Sequence, residues 1–158
     1  MSDPKKAIQG FQTTHWIIKN QTKGLNHADS VLQLPFRGNC MNWVVGHLAV
    51  YRDKMLKVIG QEGLLNEEET ALYTRGSDPI INGDDGVAFE RLLNAIDESQ
   101  KRIIAYLEQA TTDTLAAIYK EEQTVGDRLG GLHWHETYHT GQLELLRQLA
   151  GTNDVIIK

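Results

Sequence analysis

The sequence predicts an all-α protein, a four-helix bundle with short extra helical turns in its connections. Apolar residues recur at spacings of three and four along four long stretches, the period of a helix with one buried face. Strand-like alternation is nearly absent. Gly, Pro, Asn and Asp cluster between the long stretches, where turns belong. Long amphipathic helices without a sheet bury their stripes most simply against one another. A length of 158 residues suits one domain with one core, residues 1–158.

The first helix starts at Asp3-Pro4, a capping acid followed by a proline suited to the first turn. Ile8, Phe11, His15, Ile18 and Thr22 keep helical spacing to about Lys23, and Gly24 ends it. A connection follows to Asn39, with a short helical turn expected near His27 to Leu32 and a break at Leu34 to Gly38. Asn39 is the expected N-cap of the second helix. Its stripe is Trp43, Val44, His47, Leu48, Tyr51, Met55 and Val58, and Gly60 stops it. Residues 61–86 are the least regular: Glu67 to Glu69 suggest a solvated helical turn, and Gly76 to Gly86 is turn chemistry long enough to act as a lid. The third helix runs from about Val87 to Leu107 on Phe89, Leu92, Leu93, Ile96, Ile103 and Ile104. Thr111 to Ala117 is a short capped turn. The fourth helix begins near Gly126 or Asp127 and continues through Leu143, Leu146 and Leu149 to Gly151.

Composition narrows the function classes. The chain is 41% hydrophobic and 23% charged, with a net charge of −5 and the signs mixed along it. No basic run marks a nucleic-acid face. One cysteine, Cys40, excludes an internal disulfide and fits a reducing cytoplasm. The N-terminal stretch lacks an apolar core of signal-peptide length, and no later run approaches the ~20 residues of a membrane span. A cytoplasmic protein is expected, without nucleic-acid or membrane partners.

The chemistry concentrates in the fourth helix. His135 and His139 are four residues apart, so they return to nearly the same face one turn on and can share a metal ion. Their face continues as Gln142 and Leu146, the inward side, where unpartnered imidazole nitrogens are costly to bury. A metal site needs a third ligand. His47, on the apolar stripe of the second helix, is the best candidate, and His15 on the first is the runner-up. His27 sits in a connection and His133 points about 200° away, so both are expected outside the site. Three neutral imidazoles leave at least one coordination position for water, as in catalytic rather than structural zinc sites. Imidazole alone does not choose among zinc, nickel, iron and copper.

His135-Glu136-Thr137-Tyr138-His139 is also literally H-E-x-x-H, the zinc-protease signature in which the glutamate is general base. The longer form needs glycine and histidine where Gln142 and Leu145 stand, and no strand is visible to hold a peptide. Glu136 therefore stays a weak candidate base, against the plainer reading of a solvated acid. Tyr51 and Gln142, each about a turn from a histidine, are candidates to orient a ligand or line the pocket; ordinary packing explains them equally well. Trp43 reads as core. Gly46 and Gly141, costly inside helices, suggest close helix approach.

Asn42-Trp43-Val44-Val45-Gly46-His47-Leu48, together with His135 to Leu143 and Leu146-Arg147, resembles the DinB-like (damage-inducible) superfamily. Its members carry a G-H-L element on the second long helix and H-x-x-x-H-x-G-Q on the fourth. The loop from Tyr73 to Pro79 and the Thr124 to Asp127 lead-in also fit. The resemblance implies a four-helix bundle, commonly homodimeric, with one divalent metal on His47, His135 and His139. Members with assigned activities include thiol-dependent S-transferases and a thiol-dependent isomerase, so the first expectation is a thiol-dependent S-transferase acting on a small electrophile, with zinc or nickel ahead of iron or copper as the metal. A metal-dependent hydrolase of small esters or amides and a non-catalytic metal-binding bundle are the alternatives.

Overall fold

The structure, a computed structural model, describes residues 1–152. The expected domain extends to residue 158, and residues 153–158 lie outside the described ones. The chain is mostly helical, with one small antiparallel ribbon. Helix α1 spans Pro4–Thr22; Asp3 caps it by accepting from the Lys5 N–H, and Gly24 follows at φ 77°. The short α2, His27–Ser30, opens on a capping box between Asn26 and Asp29. Helix α3, Met41–Val58, starts from Cys40, not from the expected Asn39, and has no side-chain cap. Because α3 is buried on nearly every side, packing supplies the stability that a cap would otherwise give.

Helix α4, Glu67–Tyr73, is longer than the expected solvated turn, because Asn66 and Glu69 cap it reciprocally and Tyr73 anchors its end in the core. A single 3-10 turn at Gly83–Asp85 precedes α5, Phe89–Gln109. Helix α6, Thr112–Ala116, is capped by Thr111 as its sequence suggests. Ile118–Lys120 (β1) and Gln123–Thr124 (β2) then form a hairpin that the sequence reading did not include. It is too short to show alternation, and Glu121 takes a positive φ of 52° to close it.

The expected fourth helix is two. Helix α7, Val125–Thr140, begins on a Thr124/Asp127 capping box, and α8, Gln142–Leu149, follows it. Gly141 between them keeps right-handed helical dihedrals, φ −63° and ψ −24°, so the ladder is interrupted without reversing the chain. Glycine's low helix propensity places the interruption there.

Helices α1 and α3 each pack against both α5 and α7, and α8 packs on α1 and α3. The apolar core falls into two clusters. One gathers Met41 to Val50 of α3 with Tyr73, Phe89, Leu92, Ile96, Leu143 and Leu146. The other joins Ala7 and Phe11 to Met55, Leu56, Ile103, Leu107, Leu129 and Leu132. A polar group from each long helix meets in the buried interior as well. The fully buried Arg52 of α3 donates to both carboxylate oxygens of Glu136 on α7, each at 2.8 Å. It also donates to Gln100 Oε1 at 2.9 Å and to the Ile96 carbonyl at 3.2 Å, both on α5. Thr14 of α1 donates its hydroxyl to Glu136. Each guanidinium nitrogen and both carboxylate oxygens thus have a partner inside the protein, which helps to hold the two charges out of water.

Candidate metal centre

Helix α7 places His135 and His139 one turn apart, and α3 brings His47 against them. The three rings converge through the same atom: His47 Nε2 lies 3.4 Å from His135 Nε2, which lies 3.2 Å from His139 Nε2. One ligand atom from each histidine falls within 4.8 Å of the others. His47 is buried and the other two are half-buried.

The outer nitrogens determine whether the inner ones can act as donors to a metal. His47 Nδ1–H donates to the Tyr73 carbonyl at 2.6 Å, and His139 Nδ1–H donates to Gln142 Oε1 at 2.7 Å. Each bond holds the tautomer that leaves a lone pair on Nε2, as a ligating imidazole requires. His135 has no such tether: among the described residues its buried Nδ1 has no hydrogen-bond partner. Its ring is held instead by stacking on Tyr51, centroids 3.7 Å apart and planes 10° from parallel.

Burial pushes His47 down to about 4, and the neighbouring His139 and Lys54 charges add to the fall. His135 also drops to about 4, again mainly through burial, and His139 is lowered by the same cause. All three rings are therefore neutral at pH 7 with lone pairs available. Three neutral imidazoles with nitrogens converging on one point suit a divalent transition ion, and among the described residues no carboxylate joins them.

Trp43, read as core from the sequence, is buried, but it also stacks on His47 at 4.7 Å and 14°. Its indole N–H donates to Ser77 Oγ, so the start of the expected lid loop is tied to the wall of the site. The rest of that loop is anchored away from it: Ile80 is buried in the core, and the Gly83 carbonyl bonds His27. Gly46 marks a close approach, as expected, although the neighbour is a side chain on α4. A Cβ there would sit 2.4 Å from the Tyr73 ring, whose hydroxyl is bonded to Asn42 and Val87. Gly141 has no such neighbour; only the Tyr138 carbonyl comes within 3.5 Å.

Of the two candidate orienting residues, Tyr51 stacks on His135 and Gln142 accepts from His139. His15 does not join them. Its Nε2 pairs with Asp97 Oδ1 at 2.9 Å, where Lys19 also binds the carboxylate. Glu136 does not face the three nitrogens. Its position, one residue past His135, turns it about 100° around α7 into the core, where Arg52 takes both of its oxygens. Burial raises its pKa, but the Arg52 guanidinium outweighs that and holds the carboxyl below its usual range. The solvated reading fails equally, since Glu136 is fully buried. His27 and His133 lie outside the site, on Gly83 and against the Phe11 ring.

Sequence reasoning missed three neighbours. The Tyr73 carbonyl is a backbone group and leaves no sequence signal. Lys54, with its Nζ 3.8 Å above the Tyr51 ring, was legible in principle as the residue one turn past Tyr51. Tyr138 meets His139 edge-on at 5.0 Å and stacks with Trp134, both well exposed.

A helical scaffold that converges three neutral histidines from two packed helices defines a class of candidate metal proteins. The model of the DinB superfamily matches residues 29–143, and the chain belongs to that superfamily. Among solved structures, the chain is similar to that of a conserved protein from Enterococcus faecalis. The TM-score is 0.71 at 15% identity, covering 96% of this chain and 99% of that one. At that identity the likeness is one of fold. Among curated proteins, none matches this chain.

Proposed function

We propose that the protein is a divalent-metal-dependent enzyme on a four-helix bundle, transferring a low-molecular-weight thiol to a small electrophile. The convergence of three Nε2 atoms, with two rings already held in the ligating tautomer, carries this reading. The ring of contacts among α1, α3, α5 and α7 supports the bundle. One ion is expected, zinc or nickel before iron or copper, held by His47, His135 and His139. When bound, it supplies Lewis acidity that lowers the pKa of a coordinated thiol or water.

The chain's own residues do the rest. The Tyr73 carbonyl and Gln142 keep His47 and His139 aimed, so their geometry is set before any ligand arrives. Trp43 and Tyr51 wall the inner side and exclude water from it. Tyr138 and Trp134 leave an aromatic ledge on the open side, suited to the apolar body of an electrophile. In the transfer itself the sulfur lone pair forms the new S–C bond. The thiol proton passes to solvent, and the leaving group departs with its electron pair. Among the described residues no carboxylate joins the three histidines, which disfavours a protease-like mechanism.

The test is elemental analysis of tag-free protein beside His47→Ala, followed by a screen of cellular thiols with a chromogenic electrophile. About one ion per chain in the wild type, lost in the variant, with thiol- and metal-dependent turnover, is the expected result. Turnover of esters or amides without thiol would replace this reading with a hydrolase, and tight metal uptake without turnover with a binding protein. A homodimer in the cytoplasm belongs to the same proposal; the dimer rests on the family resemblance and the location on the single cysteine, and sedimentation equilibrium tests the assembly. No helix among the described residues is long and apolar enough to cross a membrane.

A further inference from the structure

Helix α3 carries three groups on one stripe: His47, Tyr51 one turn on, and Lys54 three residues further. The Tyr51 ring lies 4.7 Å from the His47 ring, tilted by 45°, and 3.7 Å from the His135 ring at 10°. The Lys54 ammonium stands 3.8 Å from the centre of the same tyrosine ring. It occupies the opposite face, because an imidazole centred 3.7 Å away already fills the first. Lys54, Tyr51 and His135 therefore form a stack of three, two members from α3 and one from α7.

Neutral aromatic rings avoid a face-to-face sandwich, since their electron-rich faces repel, and prefer offset or edge-on pairs with centres about 4.5–7 Å apart. His135, kept neutral by burial, nonetheless lies nearly flat on Tyr51 at 3.7 Å. A cation on the far face draws the π electrons of Tyr51 towards itself and away from His135, which relieves that repulsion. The ring is also the partner that the fold gives this lysine. Among the described residues no carboxylate lies within ion-pair distance of Lys54. The adjacent Asp53 instead accepts from the Leu64 and Leu65 N–H groups, each at 2.9 Å.

We propose that Lys54 and Tyr51 are positioning residues for His135: the cation braces the tyrosine ring, and that ring sets the plane of the histidine. A hydrogen bond fixes a ring's direction, as at His47 and His139, whereas a stack fixes its plane and leaves it free to slide within that plane. His47 and His139 are thus the rigid ligands, and His135 is the one that adjusts its reach to the ion. The consequence for metal binding rests on the assignment of an ion to these three histidines; the placement of the ring rests on the stack alone.

Nuclear magnetic resonance of metal-free protein reads that placement, because the ring current of a stacked tyrosine displaces imidazole C–H resonances upfield. The His135 resonances should lie upfield in wild type, Lys54→Arg and Tyr51→Phe. They should move towards free-histidine positions in Lys54→Met and Tyr51→Leu, with far-ultraviolet circular dichroism confirming the fold of each variant. In competition with a chromogenic chelator, Tyr51→Phe should bind zinc like wild type, and Tyr51→Leu about 10–100-fold more weakly, as expected when a ligand loses its outer support. Lys54 is half-exposed, so Lys54→Met keeps the test decisive even if Tyr51→Leu fails to fold. His135 resonances that stay in place in Lys54→Met would overturn the proposal, and so would zinc affinity unchanged in a folded Tyr51→Leu. If wild type takes up no zinc while the resonances respond as expected, the stack stands and the metal assignment falls.

Discussion

Glu136→Gln separates two roles that the H-E-x-x-H pattern confounds. The substitution keeps shape but removes the charge facing Arg52, and it turns an amide N–H₂ toward a guanidinium that already donates on that side. Arg52 is fully buried, so its positive charge is left without a counter-charge. Removing one partner of a buried pair costs about 3–5 kcal/mol. Total stability for a domain is about 5–15 kcal/mol, so the loss is a large fraction of it. At roughly 2–4 °C per kcal/mol for a chain of this size, the melting temperature should fall by about 10 °C. Thermal and urea unfolding of metal-free protein, followed by far-ultraviolet circular dichroism, measures this. The double variant Arg52→Met/Glu136→Leu, which removes both charges, should recover most of the loss. A Glu136→Gln protein as stable as wild type but unable to turn over substrate would refute the structural role and restore the glutamate as a base.

Three further outcomes follow from the geometry. Gln142→Leu removes the acceptor of His139 Nδ1 and should weaken metal affinity about 10–100-fold, read by competition with a chromogenic chelator, with little change in melting temperature. Gly46→Ala drives a methyl group into the Tyr73 ring and should cost about 1–3 kcal/mol in urea unfolding. It should also loosen metal binding, because His47 is bonded to the carbonyl of that same residue. Asp97 supplies a pH dependence. Burial pushes its carboxyl up, but the bonds from Lys19 and His15 outweigh that and hold it below its ordinary 3.8. A depressed carboxylate stabilises the fold above that ordinary value, and the contribution disappears as pH falls through the folded one. Asp97→Asn should therefore cost about 0.5–1 kcal/mol at pH 7, with the gap to wild type closing below about pH 4.

The long helices were legible because their burial writes a period into the sequence. Their ends were legible where a glycine takes positive φ, as at Gly24, Gly60 and Gly151. Helical spacing alone paired His135 with His139, but it left His47 and His15 as rivals, since both occupy apolar stripes. The resemblance favoured His47, and the packing of α3 against α7 brings it to the other two rings. What stayed hidden depends on partners distant in sequence. Glu136 looked like a surface acid because its counter-charge is 84 residues away, and Arg52 gave no hint of its direction. The Asn39 cap failed because α3 is held by its neighbours, and the hairpin was too short to alternate. The Gly141 interruption rests on a residue the sequence reading had assigned to close packing.

The contact between Arg52 and Glu136 has a metrical consequence. Apolar helix faces tolerate sliding, since one leucine fills a groove much as the next does, whereas a two-pronged ion pair closes in only one register. Thr14, Arg52, Gln100 and Glu136 come one from each long helix, so the cluster indexes all of them at a single level. A slip of one turn displaces a helix by about 5.4 Å. The three histidine nitrogens span less than that, 4.8 Å. A misregistered core would be nearly as greasy as the correct one, yet His47 would face empty helix where His135 should be. The buried charges thus forbid a one-turn slip, an error larger than the metal site can absorb.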